Sequence, residues 1–146
     1  MQILAVAIGF VMATAEVAGA TGGFDCQVDD ENLSLFVSGT ISHGLGGMIL
    51  GYEAIAELKA KAVPEALRKP DLSAGLVHHW LDYPDLWLHF YAETTGDAPY
   101  SSLDLILKTE ATMDELTYEG EYRLSVFDGD TGEVILLTGK ATCGGE

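Results

Sequence analysis

From Phe24 onward, apolar and polar residues alternate along the chain with a period close to two. Leu33, Leu35 and Val37 are each separated by one residue, and the same spacing recurs in segments 102–110 and 117–127. Clusters of Gly, Asp, Asn and Pro interrupt the alternation at short intervals. A period of two places alternate side chains on opposite faces of a β-strand, one of which is buried. The pattern therefore predicts an all-β protein.

Segments that keep the alternation between two such interruptions are predicted strands. There are eight: Phe24–Asp30, Leu33–His43, Met48–Lys61, Leu76–Leu81, Leu86–Glu93, Ser102–Glu110, Thr117–Phe127 and Val134–Cys143. Every connection is short enough for consecutive strands to pair antiparallel, so the predicted fold is a meander. A closed barrel is the preferred architecture, and a β-sandwich is the alternative because alternation does not show closure.

The segment Met48–Lys69 is ambiguous, because it is rich in Ala, Glu, Leu and Lys, which favour helices. Its alternation also fits a strand. We predict a strand that ends near Lys61, followed by an irregular connection through Pro64 and Pro70, with a helix as the alternative. Glu65–Lys69 has the composition of a single helical turn, which Pro70 would end.

The first twenty residues have the form of an export signal. An apolar run covers Ile3–Ala15, and Ala18-Gly19-Ala20 supplies the small residues that signal peptidase recognises. The run is shorter than the roughly 18 residues of a membrane-spanning helix. We predict cleavage after Ala20, a single mature domain over residues 21–146, no membrane span after cleavage, and a periplasmic or secreted location.

The two cysteines of the chain, Cys26 and Cys143, lie in the first and last predicted strands. An exported protein meets an oxidising compartment, so the simplest prediction is a disulfide bond between them. An even-numbered closed meander brings its last strand beside its first, and this bond would join the two. A loop of that length implies a stabilisation of about 4 to 5 kcal/mol on chain-entropy reasoning.

The segment 76–91 contains both tryptophans and three of the four histidines. If Asp82 and Asp85 close a turn, the hairpin places three pairs on one face: Trp80 with Trp87, His78 with His89, and Leu76 with Tyr91. The other face is mainly aliphatic. The aromatic face has two interpretations: it stabilises the hairpin by cross-strand contact, or it is a ligand surface on which indole rings stack against a sugar or another planar or apolar group.

We therefore take five residues as the candidate ligand-binding site: Trp80, Trp87, Tyr91, His78 and His89. A metal site is a weaker alternative, because His78 and His89 supply two nitrogens and zinc requires further ligands. His43 or an acidic residue would have to complete it.

Composition excludes some functions. The chain has 7 basic and 23 acidic residues, a net charge of −16, so it repels nucleic acid. It contains no nucleophile elbow, phosphate-binding loop, zinc-protease helix or dinucleotide-binding motif. No catalytic residue and no cofactor is predicted.

The sequence therefore favours an exported, non-catalytic β-domain that binds a small molecule or a protein partner. Two alternatives stay open. One is a metal- or carboxylate-dependent hydrolase built around the same histidines, and the other is a structural envelope protein whose charged surface maintains solubility.

Overall fold

A computed structural model describes residues 21–42 and 47–145 of the chain. Eight strands form one antiparallel sheet. Their bounds are β1 (Thr21–Asp29), β2 (Leu33–Ser42), β3 (Met48–Leu58), β4 (Leu76–Asp82), β5 (Asp85–Glu93), β6 (Ser102–Ala111), β7 (Thr117–Phe127) and β8 (Val134–Gly145).

The strands follow the order β3-β2-β1-β8-β7-β6-β5-β4, so strands that are consecutive in sequence pair with each other, except β3 and β4, and β1 also pairs with β8. The sheet curls into a nearly closed barrel. The predicted eight-stranded antiparallel meander is confirmed. The two unpaired edges of the sheet belong to β3 and β4, whereas the first and last strands lie side by side.

The core lies on the concave face of the sheet, where alternate residues of all the central strands point inward. The largest fully buried side chains are Tyr122 and Phe90. Leucines fill most of the remaining interior: Leu33, Leu58, Leu67, Leu72, Leu86, Leu88, Leu103, Leu105, Leu107 and Leu124 are all buried. Side chains therefore occupy most of the interior of the barrel.

The connection between β3 and β4, residues 59–75, fills the gap between the two edge strands. It contains a short 3-10 helix, Glu65–Leu67, and it buries Val63, Leu67 and Leu72 against the core. The backbone N–H of Leu58 donates to the carbonyl of Arg68 at 2.8 Å, which ties the end of β3 to this connection. We refer to residues 59–75 as the seam segment.

Tyr52 of β3 reaches across the same gap. Its hydroxyl donates to the carbonyl of Leu72 at 2.9 Å and accepts from the N–H of Leu76 at 2.9 Å. Its ring meets Phe90 edge-on, with 5.9 Å between centroids. A side chain therefore provides the link between β3 and β4 that a ladder of backbone hydrogen bonds provides elsewhere in the sheet.

The disulfide bond between Cys26 and Cys143 is present, as predicted. The two residues are direct partners in the β1–β8 pairing, and both are buried. The bond therefore joins the first and last strands of the meander within the core.

The first half of the ambiguous segment Met48–Lys69 is strand β3, as predicted. The strand ends at Leu58, three residues before Lys61. A β-bulge between Thr40 and Ile41 reverses which side chains at the start of β3 point toward the core. Ile49 packs against the core there and Leu50 is exposed, the reverse of what unbroken alternation predicts.

Residues 1–20, which carry the predicted export signal, and His43 lie outside the described residues. Among residues 21–42 and 47–145, no helix has the length and apolar character needed to span a membrane.

Candidate functional site

The hairpin of β4 and β5 has the predicted register over most of its length. Asp82 pairs with Asp85 at the turn, and the next outward-facing pairs are Trp80 with Trp87 and His78 with His89. Outward-facing positions on these strands are the ones that alternate with buried Leu86, Leu88 and Phe90. The aromatic and titratable face is therefore on the outside of the barrel.

The third predicted pair, Leu76 with Tyr91, is wrong. A bulge between Leu76 and His78 makes Leu76 the partner of Phe90. Leu76 consequently packs against the core and Val77 is exposed. The N–H of Tyr91 instead donates to the carbonyl of Gly75 at 2.7 Å.

Both indole side chains are accessible. Trp80 is 48% exposed and Trp87 is 37% exposed, although they are the bulkiest apolar residues in the chain. Nζ of Lys108, which is the partner of Trp87 on β6, lies 4.8 Å from the Trp87 ring centroid. This is the geometry of a cation–π interaction, so Lys108 restricts the orientation of the Trp87 ring.

His89 is held by a second residue of β6. Its Nε2 lies 2.7 Å from Oδ1 of Asp104, and both side chains are partly exposed. His78, its partner on β4, is exposed. The two histidines therefore lie opposite each other, next to the tryptophan pair. Of the two, only His89 has a carboxylate partner that fixes its ring.

A shallow hollow of about 190 Å³ lies between these side chains. Its lining consists of His78, Trp80, Trp87, Leu88, His89, Ile106 and Lys108. We call the outward side chains of this set, all but Leu88, the tryptophan face. Four of the five predicted site residues belong to it.

Tyr91, the fifth predicted site residue, lies on the same face of β5, but its hydroxyl forms hydrogen bonds with residues outside the hollow. Its hydroxyl is 3.0 Å from that of Tyr100 and donates to Glu93 at 3.2 Å. The hydrogen bond with Tyr100, together with desolvation and the Glu93 carboxylate, raises the pKa of Tyr91 to about 12. Tyr91 therefore borders the tryptophan face without lining the hollow.

A larger groove of about 510 Å³ continues from the tryptophan face across β6 and β7. Trp87, Ile106 and Lys108 line both the hollow and the groove. The other groove residues are mostly charged: Asp85, Glu110, Glu119, Glu121 and Arg123 are among them.

Sequence reasoning missed the contribution of β6 to the site. The alternation of segment 102–110 does place Asp104, Ile106 and Lys108 on one face. Their position opposite β5 depends on the loop 94–101, whose length does not fix a register as a two-residue turn does. Only the observed pairing of Trp87 with Lys108 and of His89 with Ile106 brings them to the tryptophan face.

The described part of the chain contains no group of three or more His, Cys, Asp or Glu side chains placed to hold a metal ion. His78 and His89 are brought together as predicted, and the residue considered as a third ligand, His43, is outside the described ranges. One ring nitrogen of His89 is engaged by Asp104.

Comparison of the chain with protein-family models, with curated proteins and with solved structures gave no match.

Proposed function

We propose that this protein is an exported, non-catalytic binding module whose tryptophan face stacks against the ring of a saccharide. The observation that supports the proposal is the pairing of two accessible indoles across β4 and β5, directly beside hydrogen-bonding side chains. Contiguous exposed apolar surface, when it is large, usually marks a binding site.

The shape of the site favours a saccharide over a wholly apolar ligand. A closed pocket buries most of an apolar ligand, whereas this face is open and shallow. A ligand bound here needs one flat apolar side to cover an indole and polar edges that stay hydrated. A sugar ring has both, since its C–H groups form one face and its hydroxyls surround it.

The rim of the tryptophan face supplies partners for those hydroxyls. His78 and the His89–Asp104 pair offer donors and acceptors on one edge, and Lys108, whose Nζ lies over the Trp87 ring, offers a further donor. Because Asp104 and Lys108 orient His89 and Trp87, part of the site is ordered before a ligand arrives. Preorganisation of this kind reduces the entropy lost on binding.

Export is the second part of the proposal. A buried disulfide bond suits an oxidising compartment outside the cytoplasm. Cleavage after Ala20 would leave β1, which covers Thr21–Asp29, whole.

The test uses tryptophan fluorescence, because Trp80 and Trp87 are the two tryptophans of the whole sequence and both lie at the proposed site. We expect titration with short oligomers of glucose, xylose or N-acetylglucosamine to change the emission for at least one of these sugars. Calorimetry on the same oligomer gives the affinity.

Trp80→Ala and Trp87→Ala should each weaken binding by about fivefold or more, the effect of losing roughly 1 kcal/mol of stacking. Phe36→Ala is the matched control, because Phe36 is an accessible aromatic residue on β2, a strand that pairs with neither β4 nor β5. Equal affinities for the tryptophan variants and the wild type would contradict the site, and release of reducing ends from a bound oligomer would favour the hydrolase alternative.

A further inference from the structure

The two ends of the barrel differ in what lies over the core. At the end where β3 stops and β4 begins, the seam segment buries Val63, Leu67 and Leu72 against the core. At the other end, where β4 stops and β5 begins, a cavity of about 470 Å³ lies between the strand ends. We call this cavity the barrel mouth. Its lining includes Ile41, Leu81, Tyr83, Leu86, Leu116 and Gly145.

The floor of the barrel mouth is the last layer of the core. Ile41 and Leu86 are buried, and Leu81 packs against the core beside them. Gly145 occupies an inward position of β8, two residues after the buried Cys143, so the strand ends without an inward side chain. Against the described residues, a Cβ at position 145 would make only ordinary van der Waals contacts, the nearest at 3.5 Å. The fold therefore leaves apolar space at this end of the barrel.

Two exposed side chains form the rim of the barrel mouth. Tyr83, in the β4–β5 turn, is 64% exposed, and Leu116, in the β6–β7 loop, is 60% exposed. The turn is fixed by the N–H of Ala111, which donates to the carbonyl of Pro84 at 2.8 Å. The loop is fixed by the N–H of Gly145, which donates to the carbonyl of Leu116 at 3.0 Å. The rim therefore presents two large side chains in ordered positions above an apolar floor.

This combination is typical of a site for a small apolar molecule. Such sites are concave, have volumes of roughly 300 to 1,000 Å³, and combine apolar walls with a few polar groups. The mouths of β-barrels are among the places where they occur. The cavity volume of about 470 Å³ lies within that range. Exposed apolar side chains at the rim are the second sign of a ligand, because they offer a molecule in the cavity further apolar contact.

The polar groups of the barrel mouth restrict the chemistry of the ligand's polar end. Asp82, Asp85 and Glu115 line the cavity with the apolar residues, and the described residues of its lining include no Lys, Arg or His. Ionised carboxylates accept hydrogen bonds and donate none. An anionic ligand would therefore face like charges without a basic side chain to neutralise it, whereas a hydroxyl or an amino group can donate to them.

We infer that the barrel mouth binds an apolar chain whose polar end is a hydrogen-bond donor, a hydroxyl or an amino group, and is not an anion. The chain lies on Ile41, Leu81 and Leu86, and the polar end stays at the rim. The apolar cavity defines the site, and the carboxylates select the polar end. The barrel mouth and the tryptophan face share no lining residue, so this inference does not rest on the proposed function.

The experiment compares three ligands that have the same chain and different polar ends. Decanol, decylamine and decanoate compete at about pH 7 with N-phenyl-1-naphthylamine, an uncharged dye whose emission increases in apolar surroundings. We expect decanol and decylamine to displace the dye. Decanoate should bind about fivefold more weakly than decanol, or worse, as interactions between exposed charges imply. Methyl resonances of Ile41, Leu81 and Leu86 should shift on addition of decanol.

Gly145→Leu tests the location of the site, because the new side chain would occupy the cavity. We expect at least a tenfold loss of affinity for the dye and for decanol. The thermal midpoint should equal or exceed that of the wild type, since filling an apolar cavity stabilises a fold. Gly51→Leu is the matched control, because a Cβ at Gly51 meets no atom within 4 Å and this residue does not line the cavity.

Leu116→Ser is a second variant that keeps the core intact, because Leu116 is exposed. It should weaken decanol binding severalfold and leave the thermal midpoint unchanged. Trp80→Ala should bind the dye and decanol as the wild type does, since Trp80 does not line the barrel mouth. Loss of dye binding in Trp80→Ala would place the dye on the tryptophan face and would overturn the inference.

Three further results would overturn the inference and leave the proposed function untouched. One is failure of decanol and decylamine to bind. Another is equal affinity of decanol and decanoate, or unchanged binding in both Gly145→Leu and Leu116→Ser. The third is a dimer that Leu116→Ser dissociates and decanol does not, because a second copy of the chain would then occupy the barrel mouth. Saccharide titrations, which depend on Trp80 and Trp87, test the proposed function separately.

Discussion

Tyr122 of β7 donates its hydroxyl hydrogen to Oδ2 of Asp30 at 2.8 Å, although the two residues are 92 positions apart in the chain. Oδ1 of the same carboxylate accepts from the N–H groups of Asn32 and Leu33, at 2.8 and 2.9 Å. Asp30 therefore organises the β1–β2 turn and attaches it to β7, which is two strands away from β1 in the sheet. Burial, together with the Asp30 carboxylate, raises the pKa of Tyr122, so the phenol remains a donor at neutral pH.

Removal of the Tyr122 hydroxyl should destabilise the fold. In Tyr122→Phe the carboxylate keeps its backbone donors but loses its buried partner, and a hydrogen bond to a charged group contributes about 1.5 to 3 kcal/mol. Urea unfolding measures the loss. Tyr118→Phe, on the same strand and only partly buried, is the control. Equal losses in the two variants would show that the Asp30 contact contributes nothing specific.

Gly139 provides the space for this contact, since it is the partner of Tyr122 on β8. A Cβ at position 139 would overlap both the Asp30 carboxylate and the Tyr122 ring. Gly139→Ala should therefore cost about 1 to 3 kcal/mol, the usual effect of overpacking. Gly51→Ala provides the comparison, because a Cβ there meets no atom within 4 Å. An unchanged midpoint for Gly139→Ala would mean that this corner of the barrel is loosely packed.

Asp30 also predicts how stability varies in acid. Partial burial opposes its ionisation, but the hydrogen bonds from Tyr122, Asn32 and Leu33 and the charge of Lys59 outweigh it and lower the pKa of Asp30 from the usual 3.8. The unfolded chain therefore takes up this proton first on acidification. The stabilisation is complete above about pH 4 and is lost as the pH falls through the lowered value.

Comparison with Asp30→Asn isolates that contribution. Asparagine retains an acceptor but no charge, so the difference in unfolding free energy between wild type and variant should be largest near neutral pH and shrink below about pH 4. The comparison with the variant is needed because a second carboxylate, Asp114, also contributes to the acid dependence of stability. Hydrogen bonds from Thr112 and Thr117 lower the pKa of Asp114 to about 2. A difference that stayed constant into strong acid would contradict the assignment.

The strands and the disulfide bond were predictable because they depend on local alternation and on chain topology. The pairs Trp80–Trp87 and His78–His89 were predictable because a short turn fixes their register. The bulge after Leu76 was not predictable, since it depends on how Gly75, at the end of the seam segment, is hydrogen-bonded to β5. The neighbours Asp104 and Lys108 and the contact of Tyr122 with Asp30 depend on pairing between strands that long loops or many residues separate.

Loss of the disulfide bond should lower the stability of the fold strongly. Its two cysteines are 117 positions apart, and closure of so long a loop stabilises by about 4 to 5 kcal/mol on chain-entropy reasoning. Cys26→Ala/Cys143→Ala should lower the unfolding free energy by that amount. Thermal unfolding with and without reductant supplies the control: reductant should lower the wild-type midpoint and leave that of the variant unchanged.

Tyr52→Phe should loosen the seam between β3 and β4. The Leu72 carbonyl and the Leu76 N–H both lose their partner, and each unsatisfied group costs about 1 to 3 kcal/mol unless water reaches it. Amide hydrogen exchange should show faster exchange at Leu76 than in the wild type. Amides in β7 and β8, far from the seam in the sheet order, serve as the internal reference. Unchanged exchange at Leu76 would mean that the hydroxyl bridge does not hold the edges together.

The seam segment also affects how molecules of this protein meet one another. An open sheet edge is a template for a strand of a neighbouring chain and is a common origin of aggregates. Here the two edges, β3 and β4, face the same seam, which the hydroxyl of Tyr52 and the buried side chains of Val63, Leu67 and Leu72 occupy. The barrel thus shields its own edges from pairing with the strands of other copies, so the tryptophans on its outer wall are not accompanied by an open sheet edge.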